Sequence, residues 1–573
     1  MLRRFRQHAV RAGWAPAEMA RALTGSGRSL ARIDFPAEAE ECPVCCEELR
    51  VHKTRTRTVE TFREGVFEAR EVLKRCVRGS HCAVVGSAAL ARLVRPHQRY
   101  GYDLVVHVGL SRYLAGEQRD EIRARLEREQ GIALSAGTVS ALCDRFLVAL
   151  ELLHLARVPN LRVAMQGGWS LHLDATSDKG KGGLFVCVDG RRGWALLAGR
   201  IPSENSEHLE PLVKRTVELF GRPLATVRDL GEAGAVAVAF LREQGVPDLV
   251  CHYHFLGAVG GHLFDDAYAR LRTILRGSKV RTDLHALQRD LRPHLATPSL
   301  PGRFGEGAVR PELAALVLWL VSGDGRKNAP YPFGLPHRDF AMRCQQLTAR
   351  ADAWVPCPRT QPERRALRHL ATLAGRLDRD ERVAATLSGI AEGWRTFEEL
   401  RGVLRLADGD LPRGDVRARQ VALPVTELER LRQIAGDVDA YKTRLRASVG
   451  TTSKRGRSSS PEAAVLKYLD RYDAHLFGHP AFRDDDGIIV GVVERTNNMA
   501  EHFFGSAKQQ LRRRVGRANL GRDLQQQPAQ AALAANLRHP DYVRVLCGSI
   551  DNLPAAFAAL DSAPGDTHSL IRD

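Results

Sequence analysis

Two aspartates carry the clearest chemical signal in this 573-residue chain. The stretch from Gly168 to Asp174 reads as a strand ending in an acid, and Leu224 to Asp229 reads as a later strand ending in another. If those strands are neighbours in one sheet, their ends hold Asp174 and Asp229 side by side. Carboxylates so placed repel each other until divalent cations neutralise them, and hard oxygen ligands select Mg²⁺ or Mn²⁺. Two such ions, about 3.5 to 4 Å apart, can activate the attacking oxygen and stabilise the leaving oxygen of an in-line phosphodiester displacement. A third acid, from a helix, would complete the ligand set. Asp178 competes with Asp174 for the first position, and Glu232 and Asp248 compete with Asp229 for the second.

The elements that must position these acids follow from the pattern around them. Gly183 to Val188 and Trp194 to Leu197 read as the next two strands of a meander, and Glu207 to Phe220 as a helix. After Asp229 come a helix over Ala233 to Gln244 and a strand over Leu249 to His252. Three strands, helix, strand, helix, strand is the ribonuclease-H-like order.

Two modules precede this core. Cys42 and Cys45 form a two-residue knuckle, and Cys76 and Cys82 can supply the other thiolates of a tetrahedral structural Zn²⁺ site, with Cys46 and His81 as alternative ligands. Alternation over Thr58 to Phe62 suits a ribbon hairpin in a module too small to fold on apolar burial alone. Next, Glu117 to Gln130 reads as a helix, Gly131 to Leu134 as a turn, and Ser135 as the N-cap of a second helix. This is either a helix-turn-helix or an ordinary three-helix bundle. In the former, Thr138, Ser140 and Arg145 face DNA.

The segment Glu494 to Glu501, containing Arg495, Thr496, Asn497 and Asn498, is followed by Phe503, Phe504 and a basic run from Lys508 to Arg517. It resembles the segment leading into the last catalytic helix of bacterial insertion-sequence transposases of the DDE superfamily. Cys251 to His254 resembles the Cys-x-x-His segment found after the second aspartate in several such families. The resemblance implies that Glu501 is the third catalytic acid and that the chain cleaves and joins double-stranded DNA at the ends of a mobile element. It also implies action as a homodimer or higher assembly. Thr496 or Asn497 can cap the helix. Arg495, Asn497, Asn498, Lys508, Arg512 and Arg513 are its candidate DNA contacts.

The expected fold is therefore multidomain α/β, a ribonuclease-H-like core with a large helical insertion behind a zinc-ribbon-like module and a helix-turn-helix block. The divisions are a basic arm (1–40), the cysteine module (41–90), the DNA-binding helices (100–160), the leading core segment (165–260), the insertion (261–480) and the closing core segment with the Glu501 helix and the tail (481–573). Ser453 to Pro461 reads as a linker. A formal charge of +18, from 85 Lys and Arg against 67 Asp and Glu, favours a polyanionic partner. The longest apolar run, Leu313 to Val321, has 9 residues, where a membrane span needs about 20. Together with an amino terminus lacking a signal-like segment, this makes a cytoplasmic, nucleoid-associated bacterial protein the expectation. The rivals are a catalytically inactive DNA-binding regulator derived from a transposase, and a structure-specific nuclease of the same fold.

Overall fold

A computed structural model of the chain describes residues 30–78, 84–178, 181–291, 309–323, 329–354, 360–406, 426–452, 460–516 and 520–562. The fold is mixed α/β, and the chain divides into two compact units. One comprises Met1–Leu249, Asp415–Val425 and His479–Asp573, the other Val250–Gly414 and Thr426–Gly478.

In the first unit, β1 (Arg32–Phe35), β2 (Leu49–Thr61) and β3 (Gly65–Cys76) form a small sheet in the order β1-β3-β2. The long β2–β3 hairpin is antiparallel from the Thr61–Gly65 pair to the Leu49–Cys76 pair. β-Branched residues at Thr54, Thr56, Thr58, Val59 and Thr61 suit the extended backbone. Gly65 takes the positive φ of 75° that closes the turn. Arg32–Phe35, expected to lie in a basic arm, instead pairs in parallel with β3, and Phe35 joins Val59, Phe67 and Leu90 in a core. The reading of the chain before residue 30 lies outside the described residues.

Helices Tyr102–Leu110, Arg119–Gln130 and Ala136–Ala156 follow. Gly131, at a φ of 66°, ends the second of them, and Ser135 caps the third by accepting from the Thr138 amide at 3.0 Å. These helices do not form a separate body. Phe146, Leu150 and Leu161 share one core with Leu171, Leu173 and Trp194 of the main sheet and with Tyr542 and Phe557 near the chain's end.

The main sheet contains β4 (Ser170–Asp178), β5 (Lys181–Asp189), β6 (Trp194–Ile201), β7 (Ala225–Arg228) and β8 (Asp248–Val250), in the order β6-β5-β4-β7-β8. The first three form an antiparallel meander, while β7 lies parallel to β4. The expected helix over 233–244 is two short ones, Glu232–Ala237 and Ala239–Glu243, and the last strand ends at Val250 because a long helix already starts at His252. Side chains alternate across β4: Leu171 and Leu173 enter the large core, while His172 and Asp174 face the other way. On that second face Leu184, Val186 and Val188 pack against Ala500 and Phe504 of helix Asn498–Val515. A separate pair, β9 (Ala481–Arg483) and β10 (Ile489–Val492), leads into this helix, with Phe482 and Val493 packed on Ala225, Val227 and Leu249.

In the second unit all the described elements apart from the end of β8 are helices, among them His252–Ser278, Gln361–Asp378, Glu381–Val403 and Thr426–Thr452. Phe264, Trp394 and Phe397 form an aromatic cluster in it, with the first and last rings edge-to-face at 5.5 Å. Of the Ser453–Pro461 linker reading, residues 453–459 lie outside the described residues.

Candidate functional site

The strand carrying the first acid is longer than the sequence pattern suggests. Asp174 is not at its end: β4 continues to Asp178, because its hairpin partner β5 keeps pairing, with Asp174 opposite Val186. Parallel pairing to β7 stops earlier, at His172 and Val227. Two residues further along stand Asp174, still within β4, and Asp229, one residue past the end of β7, so the parallel register brings the two acids to the same end of neighbouring strands. Asp174 accepts from the Ala175 amide at 2.8 Å and Asp229 from the Gly231 amide at 2.9 Å.

Glu501 sits in the first turn of helix Asn498–Val515, where its amide donates to the Asn497 carbonyl at 3.1 Å. The apolar face of Ala500 and Phe504 seats this helix on β5. The expectation that Asn497 or Thr496 caps it is not met, for Asn497 occupies the cap position but makes no capping bond. Its side chain turns sideways into the sheet. Nδ2 donates to the Leu173 carbonyl at 2.8 Å, and Oδ1 lies 3.2 Å from His172 Nδ1. With Nδ2 as donor, Oδ1 must accept, so His172 carries its proton on Nδ1. Burial pushes the imidazole down to about 4, which keeps it neutral. Nothing in the residue types around Asn497 announced this tether, since a short polar run before a basic helix reads equally well as a cap.

The electrostatics of the three acids are shared. The Asp174 carboxyl is pushed up to about 7, first by burial and then by the negative charges of Asp229 and Glu501, against a lowering contribution from the Lys508 ammonium. Asp229 and Glu501 are exposed, so the trio opens to solvent. The three carboxylates are linked by charge and offer the hard oxygen donors that divalent cations take, but their oxygens do not all lie within 4.8 Å of one another as the sulfurs of Cys42, Cys45 and Cys76 do. Of the competitors, Asp248 is engaged in structure: Arg228 grips it through two bonds of 2.9 and 2.8 Å, both side chains are buried, and Thr226 donates to it at 3.0 Å. The same guanidinium also donates to the Asp229 carbonyl at 2.9 Å and so fixes the backbone at that acid. Glu232 is exposed at the start of its helix, and the Asp178 side chain lies outside the described residues. The Glu494 carboxyl, just ahead of the Glu501 helix, is pushed up to about 8 by desolvation.

The expected DNA contacts divide. Asn498, Arg512 and Arg513 are exposed, and Lys508 is half-buried beside the acids. Arg495 and Asn497 are corrected: they are 4% and 0% exposed, because the segment entering the Glu501 helix runs through the protein interior. Arg145 is corrected too, since its guanidinium donates to the Tyr100 carbonyl at 3.2 Å and stacks 5.3 Å from the Tyr102 ring centre. That inward path follows from the shared core, which claims the side of the helix next to Phe146. Thr138 and Ser140 are half-buried, the first bonded to Ser135 and the second to Arg119 and the Ala136 carbonyl.

At the open end of the ribbon, Cys42, Cys45 and Cys76 bring their sulfurs within 4.8 Å of one another, and the Cys45 and Cys76 sulfurs are 3.5 Å apart. Tetrahedral zinc thiolates, with bonds of about 2.3 Å, need sulfur separations near this range. Register places Cys76 opposite Leu49, and the Cys42 amide, donating to the Glu47 carbonyl at 2.7 Å, folds the knuckle back onto it. The triad is compatible with zinc. Cys46 is exposed and outside the cluster, while Cys82 and His81 lie outside the described residues. In comparisons with known proteins, no family model and no curated protein matches this chain.

Proposed function

We propose that this chain is a divalent-metal-dependent DNA transposase whose catalytic core is ribonuclease-H-like and whose helical unit is inserted before the last catalytic helix. The observation that carries the reading is the electrostatic proximity of three acids: Asp174 on β4, Asp229 one residue past the end of the parallel β7, and Glu501 on a helix tied to β4 by Asn497. The strand order β6-β5-β4-β7-β8, with β7 entering parallel to the meander's first strand, supports the same core.

In this reading Asp174, Asp229 and Glu501 hold Mg²⁺ or Mn²⁺, which when bound supplies charge neutralisation and polarisation of the scissile phosphodiester. Asp174 keeps its proton to about pH 7 in the uncompensated trio, so loading the site releases that proton from its carboxyl. Lys508, beside the acids, is placed to face a phosphate oxygen, and the exposed Arg512 and Arg513 extend the contact along the helix. Hydrolysis at an element end would free a 3′-hydroxyl, which then attacks target DNA in a second in-line displacement. Neither step uses a covalent protein intermediate. The cysteine triad serves folding of the ribbon through Zn²⁺, not chemistry.

The test is metal-dependent cleavage and joining of duplexes taken from the DNA that flanks the chain's own coding sequence. Asp229→Asn should abolish both activities and leave duplex binding nearly unchanged. Wild-type cleavage by that variant would overturn the assignment, and cleavage without joining would make the protein a nuclease.

A further inference from the structure

The helical unit carries a cavity of ≈ 300 Å³ at the junction of helices His252–Ser278 and Val280–Leu291, lined by Arg272, Arg276, Lys279, Arg281, Thr282 and His337 with an apolar floor that includes Phe340. Lys279, at a φ of 55°, is the single left-handed residue that breaks one helix and starts the next. The break puts the cations of the first helix's last turns and of the second helix's first turn around one space. Arg281 is held there by a 3.1 Å bond to the Val321 carbonyl and by stacking 5.4 Å from the Phe340 ring centre. His337 is pushed down by burial and then by the positive charges of Arg281, Arg272 and Arg276, which line the same cavity. Among the described residues no carboxylate pairs with Arg272, Arg276, Lys279 or Arg281 at ion-pair distance. Two acids on the lining elements pair elsewhere: Asp283 with Arg376 at 3.2 Å and Asp339 with Arg338 at 3.4 Å.

Four cationic side chains converging on a concave space, with a neutral imidazole and a hydroxyl at its wall, select a compact polyoxyanion. We propose that this cavity binds a phosphate group of a DNA backbone, giving the helical unit a sequence-independent DNA contact of its own. Phosphate recognition is argued from the cavity alone, and only the choice of DNA as its source rests on the proposed function.

The experiment measures binding of the full chain to a random-sequence duplex without added Mg²⁺ or Mn²⁺ over a range of salt, with inorganic phosphate binding measured in parallel by calorimetry. Two variants are compared with wild type. Arg272→Ala/Arg276→Ala removes exposed side chains. Lys279→Gly removes the ammonium while suiting the positive φ, so the helix junction is kept. Each should weaken duplex binding by roughly tenfold and flatten the salt dependence by about one phosphate's worth of counterion release, and each should abolish inorganic phosphate binding. Unchanged duplex affinity and salt slope in both variants would overturn the proposal. Loss of inorganic phosphate binding with duplex affinity intact would overturn DNA as the source. Because no Mg²⁺ or Mn²⁺ is added, the outcome is independent of the acid trio, and a failure of the catalytic reading shows separately in Asp229→Asn.

Discussion

Asn497 donates its amide to the carbonyl of Leu173 at 2.8 Å, one residue from Asp174 and four before Glu501, and so ties the helix of one acid to the strand of another. Both partners are interior, and the tether also engages the neutral ring of His172. Asn497 is therefore a positioning residue. Replacing it by Ala should leave a buried carbonyl and an imidazole N–H without partners and destabilise the first unit by about 1–3 kcal/mol in urea unfolding. Metal-dependent cleavage should fall with it. Recovery of activity at high Mn²⁺ would mark lost placement of Glu501, whereas full activity in the variant at low Mn²⁺ would show that the tether is not needed.

The acid trio should make stability depend on pH in a direction opposite to that of an ordinary salt-bridged aspartate. Asp174 titrates near 7 in the folded chain against 3.8 for an unperturbed group. Ionising it penalises the folded state, so stability falls as pH rises from about 4 to about 7 and the loss persists above that window. Asp174→Asn should thus be more stable than wild type at pH 8 without added Mg²⁺ or Mn²⁺, by at most roughly 4 kcal/mol. The difference should vanish below about pH 4. Mg²⁺ should raise the unfolding temperature of wild type at pH 8 and leave that of the variant unmoved. Equal stability of the two proteins at pH 8 would remove the basis for a charged, crowded site.

The acid just past the end of β7 and the acid on β8 should behave differently. Asp248→Asn breaks a buried, two-bonded pair with Arg228 and leaves that guanidinium without its counter-charge. A loss on the order of 3–5 kcal/mol is expected. Asp229→Asn, at an exposed position, should unfold like wild type while losing cleavage. Equilibrium denaturation of both variants separates the structural acid from the chemical one.

Zinc removal should act on the ribbon. A strong chelator, or Cys45→Ser, should release one zinc per chain, measured by elemental analysis, and expose the amides of β2 and β3 to hydrogen exchange. Cys46→Ser should retain the metal, because Cys46 lies outside the triad. Retention of zinc by Cys45→Ser would reassign the ligands.

Much of this was legible in local patterns. Hydrophobic spacing, the Gly131 turn and the Ser135 cap place the end of the 119–130 helix and the start of the next at 136, because caps and helix periodicity are encoded within a few positions. The strands leading to Asp174 and Asp229 were readable for the same reason, as were the cysteine knuckle and the ribbon behind it. Side-chain direction was not. Whether Arg145 faces solvent or the Tyr102 ring, whether Asn497 caps its own helix or reaches the Leu173 carbonyl, and whether Asp248 binds an ion or Arg228 are settled by partners on other elements, in the case of Asn497 324 positions away. The sequence around each residue is compatible with either outcome. The amino-acid order by itself determined which segments become strands and helices and which residues could do chemistry. Only the tertiary structure decided which of those residues meet, because a hydrogen bond or a Coulombic pair depends on distances that close when the sheet and its covering helix pack.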